Sequence, residues 1–493
     1  MAELKQPVTE KPLPEGSAEK ASPASLRAED FGIDTTARTT REAVRDYVRN
    51  LRNGELGALP ALAGLLVLFV LFWILDTFLP QGSGGTFISL GNLANLLQQG
   101  AGPTIIAMGL VFVLLTGEID LAAGTASGVT AAVMALHFVR DGNLLGSLGW
   151  PVFILFALVV VVAIVLALVV RIWVAAVFCA IALVLLLIGF PPNAWLEMLF
   201  AITVGVVLGT ISGFLVAELG MPSFVATLAL FIAWQGVLLQ FIGEGGTLGL
   251  RDPVIFAVAN GNLSTLGSWL LFVVAAGGYA FVLLNRQRSR RRLGLVAQPT
   301  GLVLAKVTAV VVLGAIATAL LTVNRSPGAI EISGVPYVVP IVLALLVVGT
   351  YVLDRTKFGR HVYAVGGNRE AARRAGIDVV RIRAAVFMIS TAMAAIGAIV
   401  YSSKVGSVSP TAGGGNTLLF AVGAAVIGGT SLFGGRGRIS NAVIGGAVLA
   451  TVQNGLGLLK QPSAVVFIVT GLVLLLAAAV DVASRRRSAT ATR

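Results

Sequence analysis

The sequence predicts an all-α polytopic membrane protein with about 14 transmembrane helices (roughly 10–14) and with both termini in the cytoplasm. Hydrophobic residues make up 57% of the 493 residues, charged residues make up only 12%, and the mean hydropathy is +0.92. A soluble domain carries about 25% charged residues. Apolar runs that are long enough to cross a hydrocarbon core of about 30 Å recur along the chain.

Apolar runs between turn and charge clusters define the predicted helices in chain order. They are residues 59–79, 104–115, 119–139, 151–170, 172–188, 195–216, 224–242, 269–284, 302–323, 337–353, 384–401, 418–433, 439–459 and 465–482. Arg171 alone divides the fourth run from the fifth, which predicts a tight helical hairpin. A re-entrant segment is the alternative for this hairpin and for the short run 104–115.

The positions of the basic residues predict which side of the membrane each connection faces. If the N-terminus lies inside, the inner connections receive Arg171, the arginine cluster 286–292, the loop 354–383 and Arg485–Arg487. The outer connections receive only isolated cations, such as Arg251 and Lys404. Orientation therefore accounts for the net charge of +12, and binding of nucleic acid is not predicted.

The first 56 residues have no hydrophobic period and are rich in proline, serine, threonine and charge, which predicts a disordered cytoplasmic tail with a helix near residues 43–52. Residues 57–484 form the predicted transmembrane domain, in which 354–383 is a cytoplasmic loop. Residues 485–493 are a predicted cytoplasmic tail.

Residue types that carry catalysis or bind metals are scarce. A single cysteine and two histidines exclude a disulfide framework and a His/Cys metal cluster, so no metal site and no catalytic set are predicted. The acidic residues of the transmembrane domain lie near segment ends. Ion-coupled carriers usually place acids at mid-membrane depth, so we expect the driving energy to come from another protein.

The most informative stretch is the cytoplasmic loop. Asn368 is a good N-cap, Gly376 is a good residue to follow a helix, and Glu370 can pair with Arg373 or Arg374. A two-turn helix over 369–375 is therefore predicted. Such a helix is marginal alone in water, so either this protein or a docked partner must hold it. A capped surface helix without a partner is the alternative.

Two glycine-containing stretches share the spacing G-x-x-x-L-x-x-G, at 117–124 and at 428–435. Each follows a short apolar segment and precedes a helix rich in glycine and alanine. Paired interrupted segments point towards a substrate pathway. Chance similarity is the alternative, because glycine is common in membrane helices.

Several blocks resemble the permeases of bacterial ATP-binding cassette (ABC) importers for ribose and xylose, a family called carbohydrate uptake class 2 that is similar to the branched-chain amino acid permeases. Glu370-Ala371-Ala372-x-x-x-Gly376 looks like the E-A-A-x-x-x-G signature of such permeases. Residues 117–124, 221–228, 358–368, 407–413 and 426–437 resemble further blocks of the family, in the same order. Glu118 before Ile-Asp and an inserted helix pair with an arginine-rich loop resemble the xylose type.

The resemblance implies a permease subunit in the bacterial inner membrane that imports a monosaccharide, xylose or a similar pentose or hexose. It also implies a homodimer, a separate ATPase subunit that docks on Asn368, Glu370, Ala371, Ala372 and Gly376, and an extracytoplasmic sugar-binding protein. The sequence contains no G-x-x-x-x-G-K-[ST] motif, so we expect ATP and Mg²⁺ to bind only to the partner and this chain to hold no cofactor.

A desolvated sugar needs a hydrogen bond at each oxygen, so polar groups in apolar segments are the candidates for contact with it. The predicted substrate-pathway residues are Glu118, Asp120, Phe224, Thr227, Gln235 and Asn454. Hydrogen bonds between helices are the alternative role for the hydroxyl and amide groups. Capping of the following helix is the alternative for Glu118 and Asp120.

Two other functions agree less well with the sequence. An ion-coupled carrier of the major-facilitator type would have a basic loop between its second and third segments, whereas residues 117–124 are acidic. A membrane-embedded enzyme would need clustered acids or histidines on one face, and the sequence shows none.

Overall fold

The computed structural model describes residues 42, 45, 59–79, 82–294, 297–326, 328 and 331–491. The predicted disordered tail and its helix at 43–52 lie outside the described residues, apart from positions 42 and 45, which are helical. The described part contains seventeen α-helices. In chain order they are α1 Leu59–Phe78, α2 Leu90–Leu115, α3 Ala122–Val139, α4 Leu144–Val169, α5 Trp173–Ile188, α6 Ala194–Ala217, α7 Ser223–Ile242, α8 Pro253–Asn260, α9 Thr265–Arg292, α10 Thr300–Thr322, α11 Val338–Arg355, α12 Lys357–Gly367, α13 Arg369–Arg374, α14 Val379–Val405, α15 Gly415–Ile427, α16 Ile439–Leu458 and α17 Ser463–Ala491.

Ten of the described helices are long and apolar enough to cross a membrane, which confirms a polytopic helical membrane protein. Each of the fourteen predicted segments falls on a helix. Of the four that are not among the ten, α5, α15 and the apolar part of α17 are shorter than a full span, and α16 has 20 residues. Helix α17 continues to Ala491, past the predicted boundary at residue 484.

The predicted short or re-entrant segment at 104–115 is wrong. The helix begins at Leu90 and runs for 26 residues to Leu115. Asn92 and Pro103 interrupt the apolar run in the sequence, which is why the sequence underestimates the helix. In the structure the Asn92 amide is buried against Asn454, and α2 continues through Pro103.

Two other boundaries also differ from the prediction. The segment predicted at 418–433 is a helix that begins at Gly415 and ends at Ile427, because Gly429 has a positive φ of 101° and starts a turn. The helices α8 and α12 were not predicted. Helix α8 is apolar but has only eight residues, and α12 is short and carries Lys357, Arg360 and His361.

The helices divide into a buried core and an exposed periphery. In α3, 89% of the apolar stretch is buried, against 11% in α9 and α10, which pack mainly against each other. Helix α14 lies at the centre and packs against α6, α2 and α3. On α6, Gly209 lets α14 approach closely, because a Cβ there would overlap the Thr391 hydroxyl. Small residues at such contacts are typical of packed membrane helices.

The connections divide between two ends of the bundle. At one end the turn after α2 meets the start of α7, where the Ile119 N–H donates to Ser223 Oγ at 3.2 Å. At the other end, strand β1 (Leu248–Gly249) pairs antiparallel with β2 (Ser407–Val408). In each of these two pairs, the sequence predicted that both connections lie on the same side of the membrane. We call the first end the loop end, because it carries residues 354–383, and the second the strand end.

Candidate functional site

The loop 354–383 is more helical than predicted. Helix α11 continues to Arg355, α12 follows within two residues, and α13 covers Arg369–Arg374. The local geometry of α13 agrees with the prediction. The Asn368 side-chain oxygen accepts the Ala371 N–H at 2.9 Å, Gly376 has a φ of +80°, and Glu370 lies 3.6 Å from Arg374.

Helix α13 presents most of its surface to solvent. Asn368, Glu370, Ala371 and Gly376 are exposed, whereas Ala372 is 4% exposed and packs into the same core cluster as the C-terminal half of α2. Ala372 is therefore the buried residue through which the helix packs against the bundle. Its other faces are free for contact with another molecule.

Helix α12 fixes α13 to the end of α2. At Gly366 the backbone lies so close to the Leu115 carbonyl that a Cβ would overlap that oxygen. The same carbonyl oxygen accepts the Gly435 N–H at 2.9 Å. Tyr363 donates its hydroxyl to the Gly437 carbonyl oxygen at 2.9 Å, and burial raises the pKa of Tyr363. The two G-x-x-x-L-x-x-G stretches thus lie side by side beneath the loop.

Glu118 joins this loop to the turn between α2 and α3. Its Oε1 accepts Arg369 Nη2 at 2.5 Å and Arg383 Nε at 2.8 Å, and the residue is 4% exposed. Arg369 is the first residue of α13, and it also donates to the Thr116 carbonyl oxygen at 3.3 Å. A buried carboxylate with two guanidinium partners is a charge-assisted link between α13, α14 and this turn.

Asp120 joins the same turn to the centre of the bundle. Its Oδ1 accepts the Ala123 N–H at 3.1 Å, and its Oδ2 accepts Ser390 Oγ of α14 at 2.9 Å. Burial raises the pKa of Asp120 to about 6, although the hydrogen bonds from Ser390 and from the backbone of Ala123 and Ala122 oppose this rise. The Glu-Ile-Asp sequence therefore contacts both α13 and α14.

The predicted substrate-pathway residues do not form one site. Glu118 and Asp120 bind arginines, a hydroxyl and the start of α3, so their carboxylates are already partnered. Thr227 donates to the Ser223 carbonyl oxygen at 2.8 Å and is also at the loop end. In the structure these three residues cap a helix or form contacts between elements. Those are the roles that were the alternatives to sugar contact.

The other three members of the predicted set are separated from these. Phe224 is 54% exposed on the outside of the bundle. Asn454 and Asn92 exchange two amide hydrogen bonds at 2.8 and 2.9 Å between α16 and α2, which is the alternative role of a helix-to-helix bond. Gln235 lies at the strand end, where its Nε2 donates to the Pro410 carbonyl oxygen at 2.6 Å and its side chain lines a cavity.

Sequence reasoning missed the arginines that bind Glu118 and a second buried ionisable pair. His137 Nδ1 lies 2.5 Å from Glu197 Oε1, and both side chains are at most 2% exposed. The histidine ring stacks on Phe190 at a centroid distance of 4.0 Å. The position of each residue near a segment end gave no signal that α3 and α6 would bring them together. No group of three or more His, Cys, Asp or Glu side chains that could hold a metal occurs in the described residues.

Comparison with known proteins supplies the family. The profile described as "Branched-chain amino acid transport system / permease component" matches residues 172–478, which is more than half of the chain. The chain belongs to this permease family. It is therefore a transport subunit and not itself an enzyme, as the sequence predicts.

Alignments with characterised relatives cover most of the chain. The "Xylose transport system permease protein XylH" of Escherichia coli K12 is 35% identical over 83% of this chain and 90% of its own length. The protein of the same name from Haemophilus influenzae is 30% identical over 84% of this chain and 95% of its own length. The "Ribose import permease protein RbsC" of Escherichia coli K12 is 26% identical over 83% and 90%. No solved structure matches the chain significantly.

Proposed function

We propose that this protein is the membrane-spanning permease subunit of an ABC importer that moves a monosaccharide, xylose or a similar pentose or hexose, into a bacterial cell. The observation that carries the proposal is the exposed helix α13, which is capped at Asn368 and linked through Arg369 to the buried Glu118. The similarity to xylose and ribose permeases supports the substrate class.

The coupling mechanism follows from this network. An ATPase subunit would dock on the exposed face of α13, at Asn368, Glu370, Ala371 and Gly376, while Ala372 anchors the helix to the bundle. Displacement of α13 pulls on Glu118 through Arg369. The turn between α2 and α3 then moves together with α14, because Arg383 and Ser390 bind the two acids of that turn.

The remaining parts of the importer are supplied by other chains in this proposal. ATP and Mg²⁺ bind to the ATPase subunit, and an extracytoplasmic binding protein delivers the sugar to the strand end. The loop end faces the cytoplasm, because the basic connections lie there. The full proposal has fourteen membrane crossings, both termini inside the cell and a homodimer of this chain in the inner membrane.

Substitution of α13 tests the proposal in membranes that contain the whole importer. We expect Glu370→Ala and, separately, Gly376→Val to lower ATP-driven uptake of D-xylose or D-ribose at least about tenfold, the factor that 1.4 kcal/mol of lost docking energy gives. Membrane insertion should stay normal. Glu244→Ala is the matched control, since Glu244 is an exposed acid in the outer connection after α7. Normal uptake by both α13 variants would contradict the docking role.

An ion-coupled carrier remains the second candidate, and one observation favours it. The buried pair of His137 and Glu197 is the kind of group that carries protons in secondary transporters. Uptake in ATP-free vesicles under an imposed proton gradient decides between the candidates. The proposed importer should show no uptake under these conditions.

A further inference from the structure

A cavity of about 410 Å³ opens at the strand end of the molecule. It lies between α7, the last turns of α14, strand β2 and the first turn of α15. The loop 354–383 is at the opposite end of α14, about 40 Å away along a helix of 27 residues at 1.5 Å per residue. The cavity is therefore separate from the coupling network.

The lining of this cavity is polar but carries no formal charge. Its twelve residues include no aspartate, glutamate, lysine, arginine or histidine. Eight of the side chains can donate or accept hydrogen bonds: those of Gln235, Tyr401, Asn416 and Thr417 and four further serines and threonines between 402 and 411. Such a lining fits an uncharged ligand, because a charged one needs a charged or strongly dipolar partner when it leaves water.

Most of these groups are available for a ligand. Gln235 donates Nε2 to the Pro410 carbonyl oxygen at 2.6 Å, which fixes the side chain and leaves Oε1 without a hydrogen-bond partner in the described part of the chain. The side chains of Tyr401, Ser402, Asn416 and Thr417 likewise make no hydrogen bond with any described residue. One fixed acceptor and several free hydroxyl and amide groups thus line the same space.

The start of α15 adds backbone donors to the lining. The helix begins at Gly415 after Gly414, and no side chain caps it. The N–H groups of a first helical turn have no partner within the helix. Here the Thr417 N–H donates to the Gly414 carbonyl oxygen at 2.9 Å, and those of Gly415 and Asn416 make no hydrogen bond with any described residue. A Cβ at Gly415 would meet no atom within 4 Å, so the backbone at this position is open to the cavity.

We infer that this cavity is the receiving site for an uncharged monosaccharide on the extracytoplasmic side of the permease. The inference rests on the proposed function. A desolvated sugar needs a hydrogen bond at each hydroxyl, which these groups supply, and the volume lies within the roughly 300–1,000 Å³ of small-molecule sites. Gln235 Oε1 accepts from a sugar hydroxyl, while the amide of Asn416 and the first turn of α15 donate to others.

Protection of an introduced cysteine tests the site in the complete importer. The native Cys179 is fully buried, so it gives little background labelling. Thr411→Cys places a thiol in the lining at an exposed position. A membrane-impermeant maleimide added outside should label this thiol. D-Xylose, or D-ribose if that is the sugar taken up, should slow labelling to less than about half of the rate without sugar once the sugar concentration exceeds its Kd. L-Leucine, which is zwitterionic, should not protect.

Gln240→Cys is the matched control, because Gln240 is exposed on the same helix as Gln235 and does not line the cavity. Its labelling should not change with sugar. Absence of labelling at Thr411→Cys, or labelling that sugar does not slow, would overturn the inference.

Uptake by further variants separates this inference from the proposed function. We expect Gln235→Leu and Asn416→Leu to lower uptake of the sugar several-fold, with Gln240→Leu unchanged. If both cavity variants transport normally while uptake still requires ATP, the receiving site is wrong and the permease function stands. If uptake by the wild type needs no ATP, the proposed function itself fails.

Discussion

Glu118 links the loop 354–383 to the bundle, because two arginines, Arg369 of α13 and Arg383 of α14, converge on one of its oxygens. We predict that Glu118→Gln uncouples the importer. The amide keeps the shape of the side chain but loses its charge, so Arg383, whose side chain is 14% exposed, loses its ion pair. ATP-driven uptake should fall at least about tenfold.

A double-mutant cycle checks that Glu118 acts through Arg369. Arg369→Ala and Glu118→Gln should each lower uptake, and the double variant should be little worse than Glu118→Gln alone. Glu244→Gln serves as a control for the loss of an acidic residue. Independent, additive losses would contradict the link between these two residues.

Asp120 makes the stability of the folded protein depend on pH, and acid favours the folded state. Its pKa rises from 3.8 to about 6 on burial, so between these values the folded chain holds a proton that the unfolded chain has released. The stability contributed by Asp120 therefore falls as the pH rises through about 4 to 6. Above that window its contribution to the free energy of unfolding stays constant, at about 3 kcal/mol less than at low pH.

The variant Asp120→Asn should remove this dependence. The asparagine keeps an oxygen for the Ala123 N–H and can donate to Ser390. We expect its Tm to equal that of the wild type near pH 4 and to exceed it increasingly up to about pH 6–7. Thermal unfolding of the detergent-purified protein measures the difference. If the variant and the wild type differ in Tm by the same amount near pH 4 and near pH 6–7, the burial of a charged carboxylate is contradicted.

At the residue scale, the sequence predicted local roles better than distant partners. Asn368 and Gly376 cap α13 as predicted, since capping depends on neighbours along the chain. The partners of Glu118 lie 251 and 265 positions away. No local pattern specifies such a pair, so the sequence left both acids as candidates for sugar contact.

The short helix α12 joins α13 to the end of α2, and its contact with α2 leaves no space for a side chain at Gly366. We predict that Gly366→Ala displaces α12, because the added Cβ would overlap the Leu115 carbonyl oxygen. Uptake should be lost while the ten long apolar helices remain folded. Circular dichroism and uptake by the whole importer measure the two effects.

Gly367→Ala is a close control, since a Cβ at Gly367 would meet no atom within 4 Å. Both variants replace a helical glycine of α12 by alanine. Only the variant at Gly366 should lose uptake. Equal effects of the two changes would show that helix propensity, and not the contact with Leu115, is what matters.

At the scale of elements, hydropathy located every long helix but misplaced the ends of those with polar residues inside. Helix α2 illustrates the reason, because the amide of Asn92 is satisfied by Asn454 of α16, a partner that a hydropathy window does not include. The tight hairpin at Arg171 was predicted correctly, and Arg171 has the positive φ of 61° that such a turn needs.

For the whole molecule, the alternation of sides followed from the segment count and agreed with the basic residues, and the structure places connections predicted to share a side next to each other. The loop 354–383 reaches the turn after α2, and the connection after α8 reaches that before α11, where Arg325 binds Asn262 at 3.0 Å. The segment count could predict this, because each crossing moves the chain to the other side of the membrane. The packing of α14 at the centre could not be predicted, because it depends on side chains of α2, α3 and α6 together.

We propose that a partner drives the movement of the sugar through α13. Reconstitution of the purified chain in liposomes, with and without an ATPase subunit, its sugar-binding protein and ATP, tests this claim most directly. We predict that radiolabelled sugar accumulates against its gradient only with all partners and ATP. Accumulation by this chain alone, under a proton or sodium gradient, would contradict the account.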